Sequence, residues 1–346
     1  MGATQKRTVL ITGYVFTPLD SPMPVTDVEA HNSCSAGGAG HALALEFAAR
    51  GFRVFATARS TASLTGLEEK GVEIFPLDVT KIESITALKD EITKRTGGKL
   101  DILYNNAGTS TSHPLREKNV TSTRYEGTDR ITVYQIPAVE ADPAVVRQMF
   151  NTNVFGLFDM VTAFAPLLLA SVKDSQLPPT IVNVASVLAR MPVLFGAAYN
   201  GSKAAVAQYS DTLRLELAPL GIKVVTLYMG EVSTGLMQAS NIRFRPDSLY
   251  IDFESKVKDA SSKHAQETMK AQEFAQKVVS QVVVKKPGSG VGEFLWLGTN
   301  AFIIWFLNAI GPRKVFDSTA QGMVGFNDKS LRQSLFARGQ RGNKPA

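Results

Sequence analysis

Short, mainly apolar runs alternate along this chain with longer stretches whose apolar residues return at helical spacing. The runs fall at residues 9–11, 54–56, 73–77, 102–104, 181–184 and 224–227, and the helical stretches at 42–50, 82–94, 143–170 and 198–218. A strand that is apolar at successive positions has both faces covered, as in a parallel sheet with helices packed above and below it. The pattern predicts an α/β fold built on a doubly wound parallel (Rossmann) sheet. In such folds ligands bind beyond the carboxyl ends of the strands.

Two segments break the rhythm. Residues 14–33 hold Pro18, Pro22 and Pro24 without any period, and residues 109–133 are polar and equally aperiodic. Both read as loops, and each directly follows a strand that should feed the site. The tail differs again: residues 294–310, FLWLGTNAFIIWFLNAI, are nearly all apolar and precede Arg313 and Lys314. A membrane span takes ~20 apolar residues, and Thr299, Asn300 and Asn308 interrupt this run. An interfacial or substrate-facing helix is expected, with Trp296 and Trp305 suited to a headgroup boundary. A helix buried against the domain or a partner subunit is the alternative.

Composition narrows the function mainly by exclusion. Hydrophobic residues make up 44% and charged residues 20%, an ordinary globular balance. The net charge of +6 is dispersed, without the basic block that would follow a phosphate backbone, so no nucleic-acid partner is expected. Cys34 is the single cysteine, and His31, His41, His113 and His264 lack metal-ligand spacing. Neither a disulfide framework nor a metal centre is expected. The apolar run after Lys6 and Arg7 is too short for a signal-peptide core, which points the catalytic portion to the cytosol.

Candidate chemistry concentrates in the middle of the chain. Ser186 closes the run IVNVAS, Tyr199 follows thirteen residues later, and Lys203 stands four beyond it in YNGSK; Asn153 lies upstream in NTNVFG. Residues four apart share one helix face, so Tyr199 and Lys203 can meet a serine at a strand end around one carbonyl group. A phenol titrating near ~10 is a poor proton donor at neutral pH, and an adjacent ammonium lowers that value. Lys203 would supply the charge.

This constellation resembles the short-chain dehydrogenase/reductase family. The resemblance implies hydride transfer from a reduced nicotinamide to a ketone. Tyr199 would protonate the developing alkoxide and Ser186 donate a hydrogen bond to it. It further implies that Lys203 bonds the nicotinamide ribose, that Asn153 holds a water relay, and that the chain forms a homodimer through the helices that precede and carry the Tyr-Lys motif.

Cofactor motifs extend the resemblance. Thr12-Gly13 ends the first run, and CSAGGAG, with Ser35, Gly38 and Gly40, begins at Cys34; joined, they read ITGCSAGGAGHALA. That string is similar to the glycine-rich phosphate turn of fungal members of the family. Arg59 stands where the family reads the adenosine ribose, and a cation there suits the 2′-phosphate of NADPH. Asp78 resembles the adenine contact, and NNAG, with Asn106, Ala107 and Gly108, the signature that lines the cofactor cleft. The segment from Met229 to Thr234, MGEVST, resembles a turn that usually starts with proline. Met229 replaces that proline, while Val232 and Thr234 remain to hold the carboxamide.

From Thr8 to about Phe326 the chain is similar to fungal NADPH-dependent 1-acyldihydroxyacetone-phosphate reductases, tail included. That branch implies an acyl-chain ketone substrate and a peripheral membrane contact at the cytosolic face of the endoplasmic reticulum or a lipid droplet; the cytosol is the alternative. A reductase of a fungal secondary-metabolite pathway is the competing reading within the enzyme class. An inactive nucleotide-binding relative is a third, because residues 14–33 split the phosphate turn. Loop closure costs only about (3/2)RT ln n plus a constant, so the insert threatens cofactor binding more than folding. The codons of Gly13-Tyr14-Val15 and Asn32-Ser33 permit in-phase splice junctions, so the insert reads as a retained intron; residues 109–133 read as a second one or a substrate loop. The chain divides into a dinucleotide-binding catalytic domain, residues 1–290 with both inserts, and a C-terminal helical tail, residues 291–346.

Overall fold

The computed structural model describes residues 6–13, 38–64, 66–108, 135–233, 242–266, 268–284 and 293–341. Both inserts, Ser35 and Thr234 lie outside the described residues. The strands are β1 Thr8–Thr12, β2 Arg53–Ala58, β3 Glu73–Pro76, β4 Ile102–Asn105, β5 Thr180–Val184, β6 Lys223–Met229, β7 Val232–Ser233, β8 Met269–Lys270 and β9 Phe294–Leu297. β7 pairs with β8, and the other seven form one sheet in the order β3-β2-β1-β4-β5-β6-β9, parallel throughout. Strand order reverses between β1 and β4, and the crevice opened there is where a doubly wound sheet takes its ligand.

The helices are α1 Ala39–Ala49, α2 Ile82–Thr96, α3 Pro143–Phe150, α4 Gly156–Ser171, α5 Ala197–Leu217, α6 Glu254–Gln266, α7 Ala271–Val284, α8 Ala301–Ile310, α9 Asp317–Met323 and α10 Lys329–Arg341. Successive strand residues point to opposite faces, and both faces are covered. Val9 and Ile11 pack in a core with Phe47 of α1 and Val278 of α7, whereas Leu10 joins a second core with Ile85 of α2, Phe164 of α4 and Val206 of α5. The doubly wound parallel sheet read from the apolar runs is the fold observed.

The tail departs from its expected form. Instead of one helix over residues 294–310, the structure divides the run into β9, which pairs with β6, and α8. Gly298 (φ 112°) and Asn300 (φ 62°) take left-handed backbone between the two, a turn that a continuous helix cannot contain. Residues 294–297 therefore belong to the catalytic sheet, and the boundary at 290 cuts off its last strand. Gly298 also lies against Gly230 after β6: a Cβ on Gly230 would sit 2.4 Å from the Thr299 carbonyl oxygen. Only two glycines let β6 and β9 turn away so close together.

Gly156, where α4 begins, is a second close approach. A Cβ there would come within 2.7 Å of the Val79 carbonyl and 2.9 Å of its Cγ2. Gly156→Ala should cost about 1–3 kcal/mol, the usual range for overpacking a closed core. Urea unfolding followed by circular dichroism checks this, and a loss below about 0.5 kcal/mol, the level of a neutral surface change, would contradict it.

Candidate active site

Ser186, Tyr199, Lys203 and Asn153 come together at the carboxyl ends of β4 and β5. Ser186 stands two residues beyond β5 and caps the short 3₁₀ turn Val187–Ala189, its Oγ accepting from the Leu188 N–H at 3.1 Å. The same hydroxyl donates to the Met229 carbonyl at 3.4 Å, a long bond that costs little to break. Tyr199 and Lys203 project from the first turns of α5. Lys203 Nζ donates to the Val184 carbonyl at 2.8 Å and lies 5.9 Å from the centre of the Tyr199 ring.

Asn153 sits in a π-helical turn, Asn151–Phe155, that joins α3 to α4. Such turns recur at functional sites because the extra residue re-aims a side chain within a helix. Here the Asn153 amide donates to Ser202 Oγ at 3.0 Å, and that hydroxyl donates to the Tyr199 carbonyl at 2.8 Å. A buried amide thus ties α4 to the turn of α5 that bears the phenol.

Burial sets the electrostatics. It pushes the Tyr199 phenol above its ordinary value, and a side-chain hydrogen bond with Ser186 works in the opposite direction. This corrects the sequence expectation of a lowered phenol: the phenolate loses more solvation than the Ser186 hydrogen bond returns. Lys203 itself, buried beside one carbonyl, is brought down to about 8. At neutral pH the pair is a phenol that keeps its proton and an ammonium that holds its charge at the cost of desolvation.

The cofactor positions line the same edge. Thr12 Oγ1 accepts from the N–H groups of Asn106 and Ala107, both at 3.0 Å, and so folds the NNAG turn over the end of β1. The Gly13 N–H donates to Thr57 Oγ1 at 3.4 Å. Gly38, in extended backbone, caps α1, and Gly38, Ala39 and Gly40 are buried at that helix start. Arg59 follows β2, half-buried. Asp78 follows β3, with Oδ1 accepting from the N–H and hydroxyl of Thr80 at 3.0 and 2.7 Å. Val232 lies in β7, past the close approach at Gly230.

These residues fit a dinucleotide. The Asn106 Nδ2 is buried without a hydrogen-bond partner among the described residues, and Gly108 leaves only backbone where a Cβ would meet Lys203 Nζ at 3.2 Å. A polar donor lacking a partner and a stretch of bare backbone, both in the crevice at the β1–β4 switch, suit a ligand with polar edges.

Sequence reasoning missed Arg190. Its Nη2 donates to the Tyr228 hydroxyl at 3.1 Å and lies 3.6 Å from Asp211, while Tyr228 stacks on Trp296 at 4.1 Å. The turn that carries Ser186 is thereby fastened to α5, β6 and β9 together. An isolated arginine four residues after Ser186 gives no signal in sequence; the link exists only once β9 lies beside β6.

Comparison with known proteins gives a consistent result. The family model described as short chain dehydrogenase matches residues 34–129 and 131–243. The chain is 35% identical over 288 residues to the short-chain dehydrogenase virD of Hypocrea virens, spanning 82% of this chain and 88% of that protein. It is 34% identical over 325 residues to the short-chain dehydrogenase ptmH of Penicillium ochrochloron, spanning 93% and 100%. Among solved structures, a short-chain dehydrogenase from Streptomyces avermitilis has the same fold, with a TM-score of 0.62 at 20% identity over 99% of this chain and 100% of the other. Another, from Burkholderia cenocepacia in complex with NADP, has a TM-score of 0.60 at 20% identity over 91% and 98%.

The burial of Lys203 yields a direct test. Its ammonium should titrate near pH 8, well below a solvated lysine, when followed by NMR of ¹³C-labelled lysine with Lys203→Met for assignment. A midpoint above 10 would mean that water reaches this nitrogen.

Proposed function

The chain belongs to the short-chain dehydrogenase/reductase family, and from that premise we propose that it reduces a ketone to a secondary alcohol with NADPH. The observation that carries this is the convergence of Ser186, Tyr199 and Lys203 beside Gly108 at the switch crevice. A bound reduced nicotinamide supplies the hydride. Tyr199, kept protonated by burial, passes its proton to the oxygen of the reacting carbonyl. Ser186 turns its hydroxyl from Met229 to the same oxygen, and the Lys203 ammonium stabilises the phenolate left behind. Asn153 holds α4 against the phenol-bearing turn and admits water for proton return.

Arg59 at the end of β2 supports NADPH over NADH, because a guanidinium pairs with a 2′-phosphate. Within ketones, resemblance directs assays first at 1-acyldihydroxyacetone phosphate and then at fungal secondary-metabolite ketones. Tyr199→Phe should lower kcat by about 10²–10⁴-fold while NADPH affinity holds. Arg59→Ala should raise the KM for NADPH about tenfold or more and leave that for NADH in place. A Tyr199→Phe enzyme that turns over at the wild-type rate would refute the assignment.

A second reading concerns α8. Phe302, Ile303, Trp305, Phe306 and Ile310 are exposed on it, while Ala301 and Ile304 pack on Val187 beside Ser186. Ten residues rise about 15 Å, half of a ~30 Å bilayer core, so α8 would lie in a membrane surface instead of crossing it. Exposed Arg313 and Lys314 follow it and would meet anionic headgroups. The wild-type chain should sediment with phosphatidylserine vesicles, and Phe302→Glu with Phe306→Glu should remain in the supernatant. Equal sedimentation of both would exclude α8 as the contact.

A further inference from the structure

An apolar cavity of about 150 Å³ lies at the start of α5. One wall is Phe195, Ala197 and Ala198; the other is Ile136, Ala138 and Ala141 from the segment before α3, closed by Val146. Four of these residues, Ile136, Ala141, Val146 and Ala198, pack in the same cluster as the Tyr199 ring. The cavity thus adjoins the turn of α5 that carries Tyr199, and its described walls carry no titratable side chain. The Ile136 N–H donates to the Phe195 carbonyl at 2.9 Å, which fastens the two walls together.

Phe195 itself is held in left-handed backbone at φ 64°, an arrangement that bulky residues avoid and that recurs at ligand sites. Its ring is fixed by edge contacts to Phe244 and Tyr250, at 5.0 and 5.5 Å between centroids. These contacts hold the Phe195 side of the recess in place. An apolar recess of ~150 Å³ is large enough for a benzene ring.

We propose that this cavity receives one apolar, phenyl-sized branch of the ketone and so presents its carbonyl to Tyr199. The proposal rests on the reductase reading. It fits an aryl ketone or a short branched alkyl ketone. A lipid-length chain would extend past the cavity, and a charged group would find no partner on the described walls.

The test uses the full chain with ¹³C-methyl-labelled alanine, NADPH, acetophenone and acetone. Acetophenone should shift the methyl signals of Ala138, Ala141, Ala197 and Ala198, and its kcat/KM should exceed that of acetone at least ~10-fold, as apolar pocket contacts allow. Ala141→Leu should erase both effects, bringing the acetophenone-to-acetone ratio of kcat/KM down at least ~10-fold; if that variant fails to fold, Val146→Ala should shift preference toward larger branches. Unmoved alanine methyls at saturating acetophenone, or equal loss of both ketones in Ala141→Leu, would overturn the cavity proposal. Shifted methyls with no ketone reduced would overturn the reductase reading and leave the cavity as an aryl-binding site.

Discussion

One hydrogen bond sets the register of this site: the Lys203 ammonium donates to the carbonyl of Val184, the last residue of β5. It fixes α5 against the strand end, and Ser186, two residues beyond Val184, is thereby placed against Tyr199, one helical turn before Lys203. Burying a charge with one neutral acceptor is costly, and the depressed titration of Lys203 reflects that cost. A purely structural role would be filled better by an apolar residue. The penalty is offset by the hydrogen bonds and packing around it, including the Asn105–Asn183–Ser210 chain that crosses β4, β5 and α5 with bonds of 2.9 and 3.0 Å.

Strain and desolvation collect in a small region. Phe195 in left-handed backbone, the π turn at Asn153, buried Lys203 and the Asn106 Nδ2, without a partner among the described residues, all lie at the same edge of the sheet. Each opposes stability locally and persists because the two cores on either side of the sheet are closed. Arg190, between Tyr228 and Asp211, braces the Ser186 turn against α5 and β6.

Much of the fold was legible because buried parallel strands leave mainly apolar runs, as β1, β2, β4, β5 and β6 do. β9 was not: FLWL and AFIIWFLNAI are both apolar, and periodicity does not separate a buried strand from a helix joined to it. Gly298 and Asn300, both suited to left-handed backbone, are the sequence marks of the turn between them. In the site, the four-residue spacing of Tyr199 and Lys203 placed both on one helix face, as observed. The π turn and the cavity could not be read, since NTNVFG looks like ordinary helix and the cavity walls are mostly alanines from segments distant in sequence. The direction of the Tyr199 shift also needed coordinates, because burial outweighs the hydrogen bond with Ser186.

Whether the switch crevice takes the NADPH proposed for it beside Tyr199, in the chain as its sequence stands, is tested most directly by fluorescence titration of the full chain with NADPH, with a chain lacking residues 14–33 alongside. Saturable enhancement of nicotinamide emission by the full chain is the predicted result. No enhancement at any concentration, whether or not the shortened chain responds, would contradict it.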